Sequence, residues 1–263
     1  MVAVHLDSDQ GPNGKRQFEH VRAVLFDKDG TLADPENFLI QLGHQRVRSI
    51  EAKVPGIQEP LLAALGLSSD GLDPTGLMAV GSLWENQVAA AAYVAQMGRG
   101  WQEAMALVQV SFTEAARLWP RKADHTPLFE DALPCLQRFQ RAGLRLGLAS
   151  ADTPENLLDF ADRYSLSPYF ASILGSSPTI RKPGPEFLAQ ACAELKVDTS
   201  ELLVVGDAAT DLDLARQQPT AGCIIVNRVG NSAIQSLAAD AIVTTLAALW
   251  PIEVPLSLPR KTR

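Results

Sequence analysis

Short, continuous runs of apolar residues recur along the chain and are separated by segments with helical periodicity. Such runs are typical of strands that are buried on both faces of a sheet. Strands that alternate with helices favour parallel pairing, with helices covering both faces of the sheet. We therefore predict an α/β fold whose strands lie near residues 21–27, 144–150, 170–174, 202–207, 222–226 and 241–244.

The long segment between the first and second strands shows helical periodicity only. Asp34-Pro35 is a typical helix start, with Asp34 as N-cap and Pro35 at the first helical position. Further along, apolar residues recur at spacings of three and four, and the clearest stripe consists of Trp101, Met105, Val108, Phe112, Ala115 and Trp119. An all-helical insertion is thus predicted after the first strand of the α/β domain.

These patterns divide the chain into four parts. Residues 1–20 are mostly polar and are predicted to form a flexible N-terminal arm. Residues 21–33 and 128–250 supply the α/β core, and residues 34–127 supply the helical insertion. Residues 251–263 are predicted to form a C-terminal tail.

The composition restricts the partners of the protein. The chain of 263 residues is 46% hydrophobic and has a formal net charge of −7, which argues against nucleic acid as the main partner. No apolar segment has the length of a signal peptide or a membrane span, so we expect a soluble, cytoplasmic protein with no membrane partner. Cys135, Cys192 and Cys223 form no CxxC pair, and we expect free, buried thiols. An anionic substrate would need a local lysine, arginine or metal ion.

Polar residues follow three of the predicted strands at the point where each strand ends. Asp27 and Asp29 close the first strand, Ser150 closes the second, and Asp207 follows the apolar run 202–206. Sites in open α/β sheets form outside the carboxyl ends of the strands, so these side chains are expected to lie close together. On an extended chain Asp27 and Asp29 share a face about 7 Å apart, and crowded carboxylates need a compensating cation.

Two further residues extend this set. Lys182 lies in a loop rich in proline and glycine, and Asp211 follows Asp207 by four residues. Each residue alone could be a helix cap or a solvated side chain, so the combination carries the argument. Carboxylates from two strands can bind Mg²⁺, while a hydroxyl, a lysine and backbone N–H groups can bind a phosphate. Together they indicate phosphoryl transfer through an aspartyl-phosphate.

The sequence FDKDGTL at residues 26–32 resembles the DxDGT signature of the haloacid dehalogenase superfamily. Ser150 matches the second motif of that superfamily, Lys182-Pro183 the third, and residues 206–211 the fourth. The helical insertion resembles the C1 cap of phosphoglycolate-phosphatase-like members. The resemblance implies a Rossmann-like, doubly wound parallel sheet with an inserted all-helical C1 cap.

The resemblance also implies a role for each of these residues. Asp27 would be the nucleophile, and Asp29 would be the general acid/base that also lends its backbone carbonyl to Mg²⁺. Asp207 would be the second side-chain ligand of the metal, and Asp211 would support it. The implied enzyme is a Mg²⁺-dependent phosphatase for a small phosphorylated metabolite, of the phosphoglycolate or sugar-phosphate type. Its phosphate would be held by the Ser150 hydroxyl, the N–H of Ala151 and the Lys182 ammonium.

Some residues have no clear place in that assignment. Lys28 occupies a position that is more often apolar in the superfamily, and strand alternation points it away from the two aspartates. We predict a surface or cap-facing lysine there, with added positive charge for an acidic substrate as the alternative. The cap is expected to close over the substrate and exclude water. Its possible substrate contacts are Arg46, Arg48 and His125, although each could be a solvated side chain.

Two alternative functions stay open. A phosphomutase of the same superfamily also keeps both aspartates, and turnover with water as sole acceptor would distinguish a phosphatase from it. A non-catalytic module that binds a phosphorylated ligand is the other alternative, and an inert protein would reveal it. The resemblance argues against a dehalogenase or a phosphonatase, because those branches replace the second aspartate, which is Asp29 here.

Overall fold

The computed structural model describes residues 2–7, 13–14 and 16–253. The chain forms two compact units. The core unit consists of Met1–Ala33 and Leu128–Arg263, and the helical unit consists of Asp34–Pro127. These limits coincide with the predicted insertion.

The described residues form twelve strands and ten α-helices. The strands are β1 (Val2–Leu6), β2 (Asn13–Gly14), β3 (Gln17–Val21), β4 (Ala23–Asp27), β5 (Leu67–Ser68), β6 (Gly71–Leu72), β7 (Arg145–Ser150), β8 (Phe170–Gly175), β9 (Leu202–Gly206), β10 (Gly222–Val226), β11 (Ala241–Val243) and β12 (Leu249–Glu253). The helices are α1 (Glu36–Glu51), α2 (Gln58–Ala64), α3 (Leu77–Val80), α4 (Leu83–Gln96), α5 (Trp101–Ala116), α6 (Ala132–Arg141), α7 (Pro154–Arg163), α8 (Pro185–Leu195), α9 (Ala209–Ala215) and α10 (Ser232–Gln235).

A seven-stranded sheet forms the centre of the core unit, in the order β2-β11-β10-β9-β4-β7-β8. Six of these strands run parallel, and β2 pairs antiparallel with β11 at one edge. Every residue of β4, β9 and β10 is buried, as expected for apolar runs in a sheet covered on both faces. The predicted α/β fold with a parallel sheet and a helical insertion is confirmed. Asp27 is the last residue of β4, which is one of the central strands of this sheet.

The predicted flexible N-terminal arm is wrong. Strand β1 pairs antiparallel with both β12 and β3, and together they form a second sheet of three strands. Apolar side chains at the two ends of the arm, among them Val4, Leu6 and Phe18, are fully buried. Residues 1–20 are polar on average, so the short apolar patterns at the two ends of this segment did not indicate strands. Residues 1, 8–12 and 15 of the predicted arm lie outside the described part of the chain.

The predicted C-terminal tail also begins too early. Pro251, Ile252 and Glu253 belong to β12 and pair with β1, so the sheet continues past residue 250. A proline is tolerated there because β12 pairs with a neighbour on one side only. Residues 254–263 lie outside the described part of the chain.

The helical unit contains α1 to α5 and has its own apolar core. The predicted stripe on α5 is buried in part, since Val108, Phe112 and Ala115 pack into this core while Trp101 is exposed. Helix α4 begins at a capping box, in which Ser82 and Glu85 bond to each other's backbone N–H groups. The unit is not purely helical, because β5 and β6 form a small antiparallel ribbon. Glycine-rich sequence between residues 66 and 76 permits this tight turn.

The described residues include no helix with the length and apolar character of a membrane span. Cys135, Cys192 and Cys223 are free and buried, as predicted.

Candidate active site

The predicted site residues of the core unit meet at one edge of the parallel sheet. Asp27 is the last residue of β4, Ser150 is the last residue of β7, and Asp207 directly follows β9. Strand β4 lies between the other two, with Asp27 opposite Ala149 in the register. Parallel pairing therefore brings three carboxyl ends together, and each delivers a polar side chain to the same place.

Three carboxylates form a tight cluster at this edge. One oxygen from each of Asp27, Asp207 and Asp211 lies within 4.8 Å of the other two. Asp27 and Asp211 are buried, while Asp207 is partly exposed. Such a cluster is costly when fully ionised unless cations compensate its negative charge.

Lys182 provides one of those cations. Its ammonium bonds to Asp27 Oδ1 and lies 2.6 Å from Asp211 Oδ1, and its side chain is only 3% exposed. The loop that carries Lys182 is fixed at its backbone, because the N–H of Lys182 donates to Ser176 Oγ at 3.2 Å. The loop between β8 and α8 thus places a buried positive charge between two carboxylates of the cluster.

Asp211 is held by the chain itself. Its Oδ2 accepts hydrogen bonds from the N–H groups of Asp207 and Ala208, at 3.2 and 3.1 Å, at the start of α9. A Cβ on Gly206 would lie 1.9 Å from the Asp211 carboxyl carbon, so a glycine is needed there. With Lys182 at its other oxygen, Asp211 orients the residues around it, which agrees with the supporting role implied for it.

The turn after β4 also requires a glycine. Gly30 has φ +79°, a left-handed conformation that glycine adopts without strain. A Cβ at this position would lie 2.0 Å from Asp207 Oδ2. The backbone of the DxDGT turn therefore closes against the carboxylate of Asp207, which brings the first and fourth motifs together.

Ser150 begins a second turn beside the cluster. Its Oγ accepts a hydrogen bond from the N–H of Asp152 at 3.1 Å, and its backbone carbonyl accepts one from Ser176 Oγ at 3.2 Å. Ala151 follows in an exposed position, and α7 begins shortly after, capped by Thr153. The hydroxyl and backbone N–H groups of this turn are suitable donors for a phosphate.

Ser176 is a residue that the sequence analysis did not select. Its hydroxyl donates to Ser150 O and accepts from Lys182 N, so it connects the loops of the second and third motifs. Strand β8 ends at Gly175, and a hydroxyl directly after a strand is the same signal that identified Ser150.

Lys28 does not occupy the predicted surface position. The residue is 1% exposed, and its Nζ lies 2.5 Å from Asp29 Oδ1. Strand alternation fails here because β4 ends at Asp27, so the chain bends at Lys28. The Lys28 ammonium lies over the ring of Phe160 in α7, with 5.0 Å between Nζ and the ring centroid. Asp29 thus pairs with Lys28, and its side chain stays 26% exposed.

Burial strongly affects the charges of the cluster. Burial raises the pKa of Asp27 to about 7 despite the opposing effect of Lys182. Burial and the neighbouring Asp27 and Asp211 raise the pKa of Asp207 well above its ordinary value. Burial alone would lower the pKa of Lys182, but the carboxylates of Asp211 and Asp27 raise it above its usual range. The lysine is thus permanently charged, while the carboxylates need further positive charge to ionise together.

The donor set fits a divalent cation. If Asp27, Asp29, Asp207 and Asp211 are ionised, two lysines leave the four carboxylates with a formal charge of −2. One Mg²⁺ would neutralise this charge, and it prefers carboxylate oxygens. Because Asp211 already bonds to two N–H groups and to Lys182, the side chains of Asp27 and Asp207 are the better ligands.

The possible substrate contacts of the insertion lie in the helical unit. The Arg46 guanidinium packs on Phe112 at 4.4 Å and donates to Met78 Sδ at 3.5 Å. Arg48 is exposed on α1, and the exposed His125 stacks on Phe38, with 6.3 Å between ring centroids. The packing of Arg46 favours a structural role, and substrate contact by Arg48 and His125 stays a prediction.

The sequence pattern of the haloacid dehalogenase-like hydrolases matches residues 21–217, which is most of the chain. The chain belongs to this family. Among curated relatives, a phosphoglycolate phosphatase of Cupriavidus necator is 28% identical over 245 residues, covering 90% of this chain and 94% of the relative. A phosphoglycolate phosphatase of Escherichia coli K12 is 25% identical over 213 residues, covering 79% and 81%. The predicted family and the predicted enzyme class, a phosphatase-type hydrolase, are confirmed.

Two solved structures share the fold of this chain. A protein from Haemophilus somnus, described as a predicted phosphoglycolate phosphatase, superimposes with a TM-score of 0.60 at 17% identity, covering 87% of this chain and 96% of that one. A Thermotoga maritima protein assigned as a beta-phosphoglucomutase gives a TM-score of 0.57 at 15% identity, covering 86% and 95%. At these identities the likeness supports the architecture and does not distinguish the two activities.

Proposed function

We propose that this protein is a Mg²⁺-dependent phosphatase that hydrolyses a small phosphate monoester through a phosphorylated Asp27. The observation that carries the proposal is the placement of Asp27 at the end of β4, a central strand, in contact with Lys182 and beside Asp207. A buried carboxylate with a permanent cation at one oxygen has the arrangement of a nucleophile that must meet a dianionic phosphate.

The first step transfers the phosphoryl group to the protein. An Asp27 oxygen attacks phosphorus, and the bond from phosphorus to the ester oxygen breaks. Asp29 donates a proton to the departing alkoxide, which is a strong base without it. Lys182 reduces the repulsion between the carboxylate and the phosphate, while the Ser150 hydroxyl and the Ala151 N–H hold phosphate oxygens.

The second step releases the phosphate. Asp29, now a carboxylate, removes a proton from water, and the water oxygen attacks phosphorus. The bond from phosphorus to Asp27 breaks, which restores the carboxylate and frees inorganic phosphate. Asp29 is protonated again at the end, so the cycle balances with water as the only co-substrate.

Asp27 and Asp207, with the backbone carbonyl of Asp29, are the proposed ligands of Mg²⁺. When bound, the ion supplies positive charge that suppresses the repulsion between the nucleophile and the phosphate. The raised pKa values of Asp27 and Asp207 agree with a site that needs additional positive charge. Asp211 and Lys182 hold the ligands in position.

A small monoester of the phosphoglycolate or sugar-phosphate type is the proposed substrate. The curated relatives named phosphoglycolate phosphatase support this class, at 25% to 28% identity. We also propose a cytoplasmic location, which agrees with three free, buried thiols. A phosphomutase is the second candidate, favoured by the similarity in fold to the Thermotoga maritima protein.

A panel of phosphate monoesters, assayed with Mg²⁺ and with EDTA, tests the proposal. We expect Mg²⁺-dependent release of inorganic phosphate, with phosphoglycolate and sugar phosphates as the alkyl substrates and p-nitrophenyl phosphate as the activated one. Asp27→Asn is the matched control and should be inactive. Isomerised sugar phosphate without phosphate release would favour the phosphomutase, and an inert protein would favour a binding module.

A further inference from the structure

Lys28 is the charged residue of the site whose position the family resemblance does not explain. It is among the largest fully buried side chains of the described residues, and its ammonium lies 2.5 Å from Asp29 Oδ1. A buried ammonium is costly unless it is paired, so the side chain is fixed by this contact. The Phe160 ring, 5.0 Å from Nζ, supports the same position through a cation–π interaction.

The two lysines of the site, Lys28 and Lys182, contact different carboxylates. Lys182 contacts Asp27 and Asp211, which belong to the cluster of three carboxylates. Lys28 contacts Asp29, which lies outside that cluster. The side chain of Asp29 is 26% exposed to solvent. The Lys28 ammonium at Oδ1 restricts rotation about its side-chain bonds.

We infer that Lys28 is a positioning residue for the proton transfers of Asp29. The inference rests on the proposed function, because it assigns Lys28 to the acid/base step of that reaction. With one oxygen held by Lys28, the carboxyl group keeps a fixed orientation toward the leaving group and later toward water. Proton transfer depends strongly on such geometry. A role in binding an acidic substrate is disfavoured, because the ammonium is buried and already paired.

The leaving group of the substrate separates this role from a general structural one. An alkoxide such as that of phosphoglycolate needs a proton from Asp29, whereas p-nitrophenolate leaves without one. Lys28→Met keeps the length of the side chain and removes its charge. We expect kcat/KM for phosphoglycolate to fall about tenfold or more, and kcat/KM for p-nitrophenyl phosphate to fall less than about threefold.

The ratio of the two kcat/KM values is the decisive quantity, because partial unfolding lowers both values equally. Lys53→Met is the matched control: Lys53 also pairs with a carboxylate, Glu114 at 2.5 Å, but in the helical unit, and the ratio should not change. Lys28→Leu, which also removes the charge and every hydrogen-bond donor, replaces Lys28→Met where that variant does not fold. A ratio within about twofold of wild type in the folded Lys28 variant would overturn the inference.

A double-mutant cycle gives a second test. If Lys28 acts through Asp29, Lys28→Met should lower the single-turnover rate of the first step with phosphoglycolate about tenfold or more when Asp29 is present, but less than about twofold when Asp29 is already asparagine. Additive losses in that background would contradict the positioning role. A wild-type protein inert toward every ester would overturn the proposed function and this inference together, whereas an active wild type with an unchanged ratio would overturn the Lys28 role alone.

Discussion

At the level of single residues, the two proposed tasks of Asp29 can be separated by one substitution. Asp29→Asn can neither protonate an alkoxide nor deprotonate water, but p-nitrophenolate leaves unaided. We therefore expect a burst of about one equivalent of p-nitrophenolate, followed by turnover at least about 100-fold slower than wild type. Quench-flow kinetics at saturating Mg²⁺, with intact mass measurement of the trapped phosphoprotein, checks this result.

The matched control for that experiment is Asp27→Asn, which should give neither burst nor turnover. Asp29→Asn with wild-type turnover and no burst would show that Asp29 is not the acid/base.

The raised pKa of Asp27 predicts a pH-dependent stability in the absence of metal. Burial raises this pKa from 3.8 to about 7, so the folded protein binds the proton more tightly than the unfolded chain. This contribution to stability is present below pH 3.8 and is lost as the pH rises through about 7. Relative to Asp27→Asn, the wild type in EDTA should therefore lose melting temperature, by a few degrees, between about pH 5 and about pH 8.

Thermal unfolding of both proteins with EDTA and with Mg²⁺ is the measurement. Added Mg²⁺ should stabilise the wild type more than Asp27→Asn, because the amide is a poorer ligand. A metal-free wild type that gains stability over Asp27→Asn as the pH rises would contradict the effect of burial on this carboxyl.

At the level of elements, the two connections to the helical unit are anchored within the core unit by Arg228. Its guanidinium donates to Thr31 O at 2.7 Å, pairs with Asp131 at 2.9 Å and lies 3.8 Å above the ring of Phe129. Thr31 precedes the point where the chain leaves the core unit, and Phe129 follows the point where it returns. Asp131 also accepts from Thr245 Oγ1 and Leu246 N, so β11 and the turn after it join this anchor.

Asp131→Asn should therefore destabilise the protein. Burial alone would raise the pKa of Asp131, but hydrogen bonds from Arg228 and Thr245 lower it below its ordinary 3.8. A lowered pKa stabilises the fold above pH 3.8, and this contribution is lost as the pH falls through the folded-state pKa. We expect a loss of about 2–4 kcal/mol in the free energy of unfolding near neutral pH.

Urea unfolding of Asp131→Asn near neutral pH and near pH 3 measures this loss, which should shrink at the lower pH. The adjacent, exposed Glu130 supplies the control variant, Glu130→Gln, which should stay within about 0.5 kcal/mol of wild type. Equal stability of Asp131→Asn and wild type would show that the anchor contributes nothing.

Much of the whole molecule could be predicted because its strands are apolar on both faces. The limits of the insertion followed from a change in periodicity, and the meeting of Asp27, Ser150 and Asp207 followed from parallel strand order. The environment of Lys28 could not be predicted, because it depends on where β4 ends and on Phe160, more than 130 residues away in sequence. Strand β1 could not be predicted either, because residues 1–20 are polar on average and one of its two partners, β12, comes from the other end of the chain.

The separation of the molecule into two units predicts that the core unit folds and reacts without the insertion. Ala33 pairs with Leu128 in an antiparallel bridge, and the N–H of Asp34 donates to Pro127 O at 2.8 Å. A two-residue Asn-Gly turn can therefore connect residues 34 and 127 as it connects the strands of a hairpin. Every residue that we assign to the reaction stays in this shortened chain, as do the central sheet and its buried core.

We expect this deletion variant to bind Mg²⁺ and to hydrolyse p-nitrophenyl phosphate at least about tenfold more slowly than the full chain, because less water is excluded from the reaction. It should also lose discrimination among natural monoesters, since no part of the insertion is left to contact the leaving group. Calorimetric Mg²⁺ titration and kcat/KM across the same ester panel measure both effects, with Asp27→Asn in the shortened chain as the control for residual activity. An unchanged order of preference among the esters would show that the core unit alone selects the substrate, and the specificity role of the insertion would then be wrong.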